Sequence, residues 1–207
     1  MSQPFDQTFW DDLYGSQSAL WSGNPNPHLV AEVSGLSPGR ALDIGAGEGA
    51  DAIWLATGGW RVTAVDISTV ALGRAADHAA VAGAAVAERI HWLHRDVEEW
   101  EPPKGHFDLV TAHFFHLPPE TRRLVFGRLA DSTAPGGSLL VVGHCPMEGT
   151  QMPEEYFFTG DDIAALLDPG QWEIVTNSIA ARPHADTGAH DAPSHTEDAV
   201  LRAVRRR

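Results

Sequence analysis

Carboxylates crowd a short run of alternating glycines. Asp43, Glu48 and Asp51 flank Gly45, Gly47 and Gly49, and Asp66 follows 21 residues after Gly45. A further acid, Asp96, lies farther along the chain. Glycines at alternate positions let the backbone turn tightly and leave no Cβ between it and a ligand. The spacing Gly45-x-Gly47-x-x-Ala50 also fits a dinucleotide fingerprint, with Asp66 where a ribose-binding carboxylate belongs. The charges weigh against a dinucleotide. A pyrophosphate would seat at the helix N-terminus, and three carboxylates there would oppose it. They suit a ligand carrying an ammonium and a sulfonium. For each acid alone, a solvent-facing role complementing the helix dipole stays open. His113 and His116 supply the other chemistry, since imidazole is the side chain best matched to proton transfer near neutral pH.

These residues need elements to hold them. Ala41 to Ile44 is an apolar run that suits a buried strand, so Asp43 sits at its end. A helix is expected from Ala50, with Ile53, Trp54 and Ala56 on one face and Gly58-Gly59 as its stop. Arg61 to Val65 forms the second strand and ends in Asp66. Ser68 caps a long alanine-rich helix running to Gly83. Ile90 to Leu93 is the third strand, with Asp96 just past it. Phe107 to Ala112 is the fourth, followed by His113-Phe114-Phe115-His116 and a helix from Pro118-Pro119-Glu120 to about Ala130. Pro135-Gly136-Gly137 turns into a fifth strand, Ser138 to Val142. Gly160 to Leu167 reads as a helix capped by Asp161 or Asp162. Trp172 to Ala181 and Glu197 to Val204 read as the last two strands. Ahead of the first strand, Phe9, Trp10, Leu13 and Tyr14 have helical spacing. Trp21 opens a turn-rich loop, and Asn26 caps a short helix with Pro27 at its first position. Alternating strands and helices imply a doubly wound α/β sheet, mostly parallel, and the closing pair of strands implies one antiparallel member.

Asp43-Ile44-Gly45-Ala46-Gly47-Glu48-Gly49, Val65-Asp66-Ile67-Ser68 and Arg95-Asp96-Val97 together resemble a class I S-adenosylmethionine-dependent methyltransferase. The subgroup most similar is the small bacterial tellurite-resistance and thiopurine-type enzymes. The resemblance implies a Rossmann-like seven-stranded sheet with the seventh strand inserted antiparallel between the fifth and sixth. It implies S-adenosylmethionine as cofactor. Asp43 would lie near the methionine amino group, with Gly45 and Gly47 under the methionine and ribose. Asp66 would accept from the ribose hydroxyls, Ile67 would pack on adenine, and Asp96 with the Val97 N–H would meet the adenine edge. Trp10, Tyr14 and Trp21 would fold over the cofactor as a lid, with packing of a satellite core as the competing role. His113 would line the cofactor pocket, and His116 is the candidate general base, packing or turn-capping being the alternative for each. The subgroup that methylates amino groups of DNA and protein has Asn/Asp-Pro-Pro-aromatic where this chain has His116-Leu117-Pro118-Pro119, so that subgroup is disfavoured.

Composition bounds the rest. A chain of 207 residues suits a single methyltransferase domain, 1–207, divided into an N-terminal helical lid segment, 1–39, and a catalytic core, 40–207. The net charge of −14 disfavours nucleic acid and anionic membranes as partners. Residues 1–6 lack the basic and apolar regions of a signal peptide, and Cys145 is alone, so a cytoplasmic protein without a disulfide framework is expected. Eleven histidines do not form zinc spacing: His91 and His94 lie on a strand, and His184, His190 and His195 fall in a polar loop, so no metal is expected. The expected reaction is methyl transfer to a small-molecule acceptor, with sulfur, selenium or tellurium nucleophiles ahead of oxygen or nitrogen. The expected pocket is bounded by the N-terminal aromatics, Phe114-Phe115-His116 and Tyr156-Phe157-Phe158. A catalytically silent S-adenosylmethionine-binding module and a nicotinamide oxidoreductase are the alternatives.

Overall fold

The structure is a computed structural model that describes residues 5–18, 20–145, 152–181 and 197–207. Seven strands form one sheet: β1 (Arg40–Ile44), β2 (Arg61–Asp66), β3 (Ile90–His94), β4 (Phe107–His113), β5 (Thr133–His144), β6 (Trp172–Ala181) and β7 (Glu197–Arg205). Their order is β3-β2-β1-β4-β5-β7-β6. The first five pair in parallel, and β7 lies antiparallel between β5 and β6. The expected insertion of the last strand is therefore present.

Strand alternation sends successive residues to opposite faces. Leu42, Ile44, Val110 and Leu139 pack on one face with Val125, Phe126 and Leu129 of α6 (Pro119–Ser132). Ala41, Val62, Leu109 and Leu140 pack on the other with Leu29 and Val33 of α2 (Pro27–Val33) and with α3 (Ala50–Thr57). A parallel sheet covered on both faces needs such continuous apolar strands. Helix α1 (Gln7–Gly15) lies outside this sandwich, against α4 (Thr69–Ala82), which the one-turn α5 (Ala84–Ala87) follows. Among the described residues, no helix is long and apolar enough to cross a membrane.

Three local expectations shift. The buried face of α3 is Ala52, Leu55 and Ala56, while Ile53 and Trp54 are half-buried at its flank. β5 begins at Thr133, before the Pro135-Gly136-Gly137 turn. The sequence places the start of this strand after the turn, at Ser138, because proline and glycine break strands. Here a bulge opposite Phe107 and Leu109 absorbs the extra chain, and Gly137 passes so close to Phe107 that a Cβ would fall 2.9 Å from its carbonyl oxygen. The helix after Thr159 is α7 (Gly160–Ala164), and its cap is Thr159, with Asp162 closing a capping box three residues on.

Candidate functional site

The loop after β1 is shaped by its glycines. Gly45 and Gly47 have φ of +69° and +52°, in the left-handed region where a side chain is strained. A Cβ on Gly47 would fall 2.9 Å from the Tyr14 hydroxyl, and one on Gly45 would fall 3.2 Å from Phe115. Gly49 has another reason to be glycine: a Cβ there would strike Trp92 and Ala75, so it serves packing beneath α3.

The acids do not act as one group. Asp43 is almost wholly buried, and its Oδ1 accepts from Thr111 Oγ1 at 2.9 Å. Burial, with Asp51 nearby, pushes its carboxyl up to about 7, against the pull of His113 and Thr111. Asp51 accepts from the Asn26 amide at 2.6 Å and pairs with His113 Nδ1 at 2.7 Å. Glu48 turns away from the loop centre. It pairs with Arg74 at 2.9 Å and accepts from the amides of Leu20 and Trp21. The expectation that all three loop carboxylates face the ligand is thus corrected, because Glu48 and Asp51 have both oxygens engaged by the protein. Among the described residues, three buried side-chain atoms lack a partner: Asp43 Oδ2, His113 Nε2 and Asn26 Nδ2. All three residues touch or adjoin Asp51. Asp43, Asp51 and His113 have ligand atoms within 4.8 Å of one another.

Asp66 ends β2 beside this group. Its two oxygens accept from the Gly47 and Ser68 amides, each at 2.8 Å, and burial is the main cause that raises its carboxyl. Ile67 is half-buried next to it, and its carbonyl accepts from His94 Nε2 at 2.9 Å. Asp96 closes a turn by accepting from the Glu98 amide at 2.8 Å, and half-buried Val97 packs against the core below. Sheet order β3-β2-β1 therefore brings Asp96, Asp66 and Asp43 to adjacent positions along one edge, the carboxyl ends of the strands, where open α/β sheets bind ligands.

The N-terminal segment closes over the loop. Tyr14 is 4% exposed, sits above Gly47 and accepts from Trp21 Nε1 at 3.0 Å; burial pushes its hydroxyl well above the usual range. Trp10 lies against Tyr14, with ring centroids 6.2 Å apart, while Trp21 is 57% exposed at the margin. Arg74 of α4 donates to the carbonyls of Tyr14 and Gln17 as well as to Glu48. Asp11 accepts from Ser68 and Val70 at the start of α4.

His116 does not stand in the pocket as an available base. Its Nδ1 donates to the Tyr156 carbonyl and its Nε2 accepts from the His144 amide, both at 3.3 Å. Two backbone groups therefore use the ring, which is a packing and positioning role. The expected aromatic wall is also thinner. Phe157 and Phe158 are buried, Phe158 lying between Phe126, His116 and the Arg122 guanidinium. Of the three, Tyr156 is the one that meets an N-terminal aromatic, Phe5. His184, His190 and His195 lie outside the described residues. Asn26 and Arg74 were missed as site residues. The Pro25-Asn26-Pro27 spacing marked Asn26 as a cap, which it is, but no local signal shows its second partner 25 residues away.

The residues fit S-adenosylmethionine. A buried acceptor without a donor, Asp43 Oδ2, stands beside a bare glycine backbone that a side chain would fill. Residues 41–137 match the family model described as a methyltransferase domain. The chain is 29% identical to a probable thiol methyltransferase 2 of Arabidopsis thaliana, over 84% of this chain and 79% of the relative. It is 30% identical to thiocyanate methyltransferase 1 of the same plant, over 85% of this chain and 77% of the relative. In fold it resembles TehB from Haemophilus influenzae, with a TM-score of 0.67, 16% identity, and coverage of 97% of this chain and 67% of that one. The cofactor is thus S-adenosylmethionine rather than a nicotinamide dinucleotide, and the chain belongs to the class I S-adenosylmethionine-dependent methyltransferases.

Proposed function

We propose that the protein methylates sulfur in a small molecule, either a thiol or an anion of the thiocyanate kind, with selenium and tellurium nucleophiles next and hydroxyl acceptors behind. The observation that carries this reading is the likeness, over more than four-fifths of the chain, to proteins named for thiol and thiocyanate methylation. When bound, the cofactor supplies a methyl group already made electrophilic by its sulfonium. The chain's own residues then bind, align and exclude water. Asp43 Oδ2 would accept from the methionine ammonium, and Asn26 Nδ2 would donate to its carboxylate. The Gly45–Gly47 backbone would lie beneath them. Asp66 would accept from the ribose hydroxyls with the lone pairs left by its two amide contacts. Ile67, Asp96 and Val97 would border the adenine. His113 would form the wall toward β4, and Trp10, Tyr14 and Trp21 of the 1–39 segment would cover the site over the 40–207 core.

The test of the acceptor is release of S-adenosylhomocysteine from a matched panel of benzyl mercaptan, thiocyanate and phenol. Turnover of either sulfur acceptor well above phenol is expected, and activity confined to phenol would overturn the sulfur reading. The cofactor assignment has its own check. Asp66→Ala is expected to weaken S-adenosylmethionine binding by about 1.5–3 kcal/mol, the scale of hydrogen bonds to a charged group. Calorimetry should show this as roughly a ten- to hundredfold loss. Unchanged affinity in a folded variant would remove Asp66 from the site.

A further inference from the structure

A second group of titratable side chains gathers one strand beyond the cofactor loop. His144 ends β5, and Asp198 faces it across the antiparallel register of β7. His144 Nδ1 lies 3.4 Å from one Asp198 oxygen, and His28 Nε2 of α2 lies 3.2 Å from the other. Asp198 is buried, with its side chain 1% exposed. A carboxylate buried that deeply is costly unless donors match its oxygens, and here two imidazoles do so. His28 is buried too, whereas the His144 side chain keeps 16% of its surface open.

The ring of His144 is held from three sides. It stacks on Phe114, with centroids 4.2 Å apart and planes at 20°, and on His116 at 5.3 Å and 17°. The His144 amide donates to His116 Nε2, which ties the backbone on the same side. Phe114 itself has φ of +54°, the one positive value at a non-glycine among the described residues. A bulky residue in the left-handed region costs free energy, and such strain gathers at functional positions. The residue in this conformation is the one whose ring stacks on His144. In the sheet, β5 is the neighbour of β4, which carries His113, and β4 is the neighbour of β1, which carries Asp43. His144 therefore stands at the same ligand-binding edge, on the side away from the adenine end.

We propose that His144, oriented by Asp198, is the general base that takes the proton from a thiol acceptor; this rests on the sulfur reading above. Asp198 accepts from Nδ1–H and so selects the tautomer whose lone pair lies on Nε2. A thiol ordinarily titrates at about 8.5, so it holds its proton near neutrality and gains from a base. In the step, the S–H bond breaks and its proton passes to His144 Nε2. The acceptor sulfur's electron pair forms the new S–C bond. The pair of the broken sulfonium–methyl bond stays on the donor sulfur, which leaves as a neutral thioether. Asp198 balances the imidazolium so formed, and water later removes its proton. His28 and His116 are positioning residues, the first holding Asp198 and the second holding the His144 backbone. Catalysis of this kind contributes about 10²–10⁴-fold.

The experiment compares two sulfur acceptors on the full chain at saturating S-adenosylmethionine and pH 7. One is 2-mercaptoethanol, which must lose a proton; the other is thiocyanate, which has none to lose. His144→Gln is expected to lower kcat/KM for the thiol about a hundredfold and to leave thiocyanate within about threefold. Asp198→Asn keeps the shape of the buried group and should shift the thiol-to-thiocyanate ratio in the same direction. A purely structural tie between α2, β5 and β7 would depress both acceptors together, so equal losses, or no loss, in both variants would overturn the base assignment alone. A wild-type protein that methylates neither sulfur acceptor would overturn the sulfur reading, and this proposal with it.

Discussion

Asp43→Ala is expected to remove measurable S-adenosylmethionine binding at ordinary assay concentrations. Asp43 Oδ2 is the one loop carboxylate oxygen left without a partner, and it is buried. A buried ion pair that loses one member costs about 3–5 kcal/mol, because the surviving charge is stranded. For the cofactor's ammonium that amounts to roughly two to three and a half orders of magnitude in affinity. Thr111 Oγ1 would lose its 2.9 Å acceptor as well. Calorimetry on the folded variant is the measurement, and wild-type affinity in Asp43→Ala would remove Asp43 from the site. The same group sets a pH dependence. Its carboxyl is pushed from 3.8 to about 7 in the free protein. An ammonium pairs with the ionised form, so affinity should rise with pH up to about 7 and then level off. For stability the sign is opposite. Between roughly pH 4 and 7 the folded chain holds a proton that the unfolded chain has released, so this group's contribution falls as pH rises through that window. Thermal stabilisation by S-adenosylmethionine should therefore grow from pH 6 to pH 8. The Asp43→Asn variant should lose that trend, since it has nothing there to titrate.

Arg74→Ala is expected to open the N-terminal segment and to cost about a hundredfold or more in cofactor affinity. One guanidinium holds three partners: the Glu48 carboxylate and the carbonyls of Tyr14 and Gln17. Its removal leaves Glu48, 6% exposed, as an unpaired buried charge, on the same scale of about 3–5 kcal/mol. That loss falls on the closed arrangement, in which Tyr14 covers Gly47, because an opened segment lets water reach Glu48. Faster amide exchange across residues 7–15 and increased quenching of Trp10 fluorescence should accompany the weaker binding. If affinity and exchange both match the wild type, the segment is part of the packed domain and does not act as a lid.

The order of elements was legible because its causes are local. The apolar run ending at Asp43, the glycine spacing and the Ser68 cap each depend on residues a few positions apart, and each appears where expected. The same holds for Asn26 with Pro27 at the start of α2. Even the antiparallel last strand was implied by two strands following one another without a helix between them. Where local signals competed, the reading slipped. Pro135-Gly136-Gly137 looked like a strand boundary until pairing with Phe107 supplied the bulge.

Sequence by itself determined the class of the protein and the sheet edge along which Asp43, Asp66 and Asp96 gather. Only the tertiary structure decided which polar atoms remain available there. Glu48 and Asp43 look alike in a line of text, yet Arg74, 26 residues away, claims the first and leaves the second with a bare oxygen. His116 looked like the base because it follows a strand end, and backbone groups from Tyr156 and His144 take both of its nitrogens. His144 drew no notice because its carboxylate, Asp198, lies 54 residues on and reaches it through an inserted antiparallel strand. The physical reason is common to all three. Residue type and spacing fix local conformation, whereas a hydrogen bond belongs to whichever partner the packed sheet brings within about 3 Å.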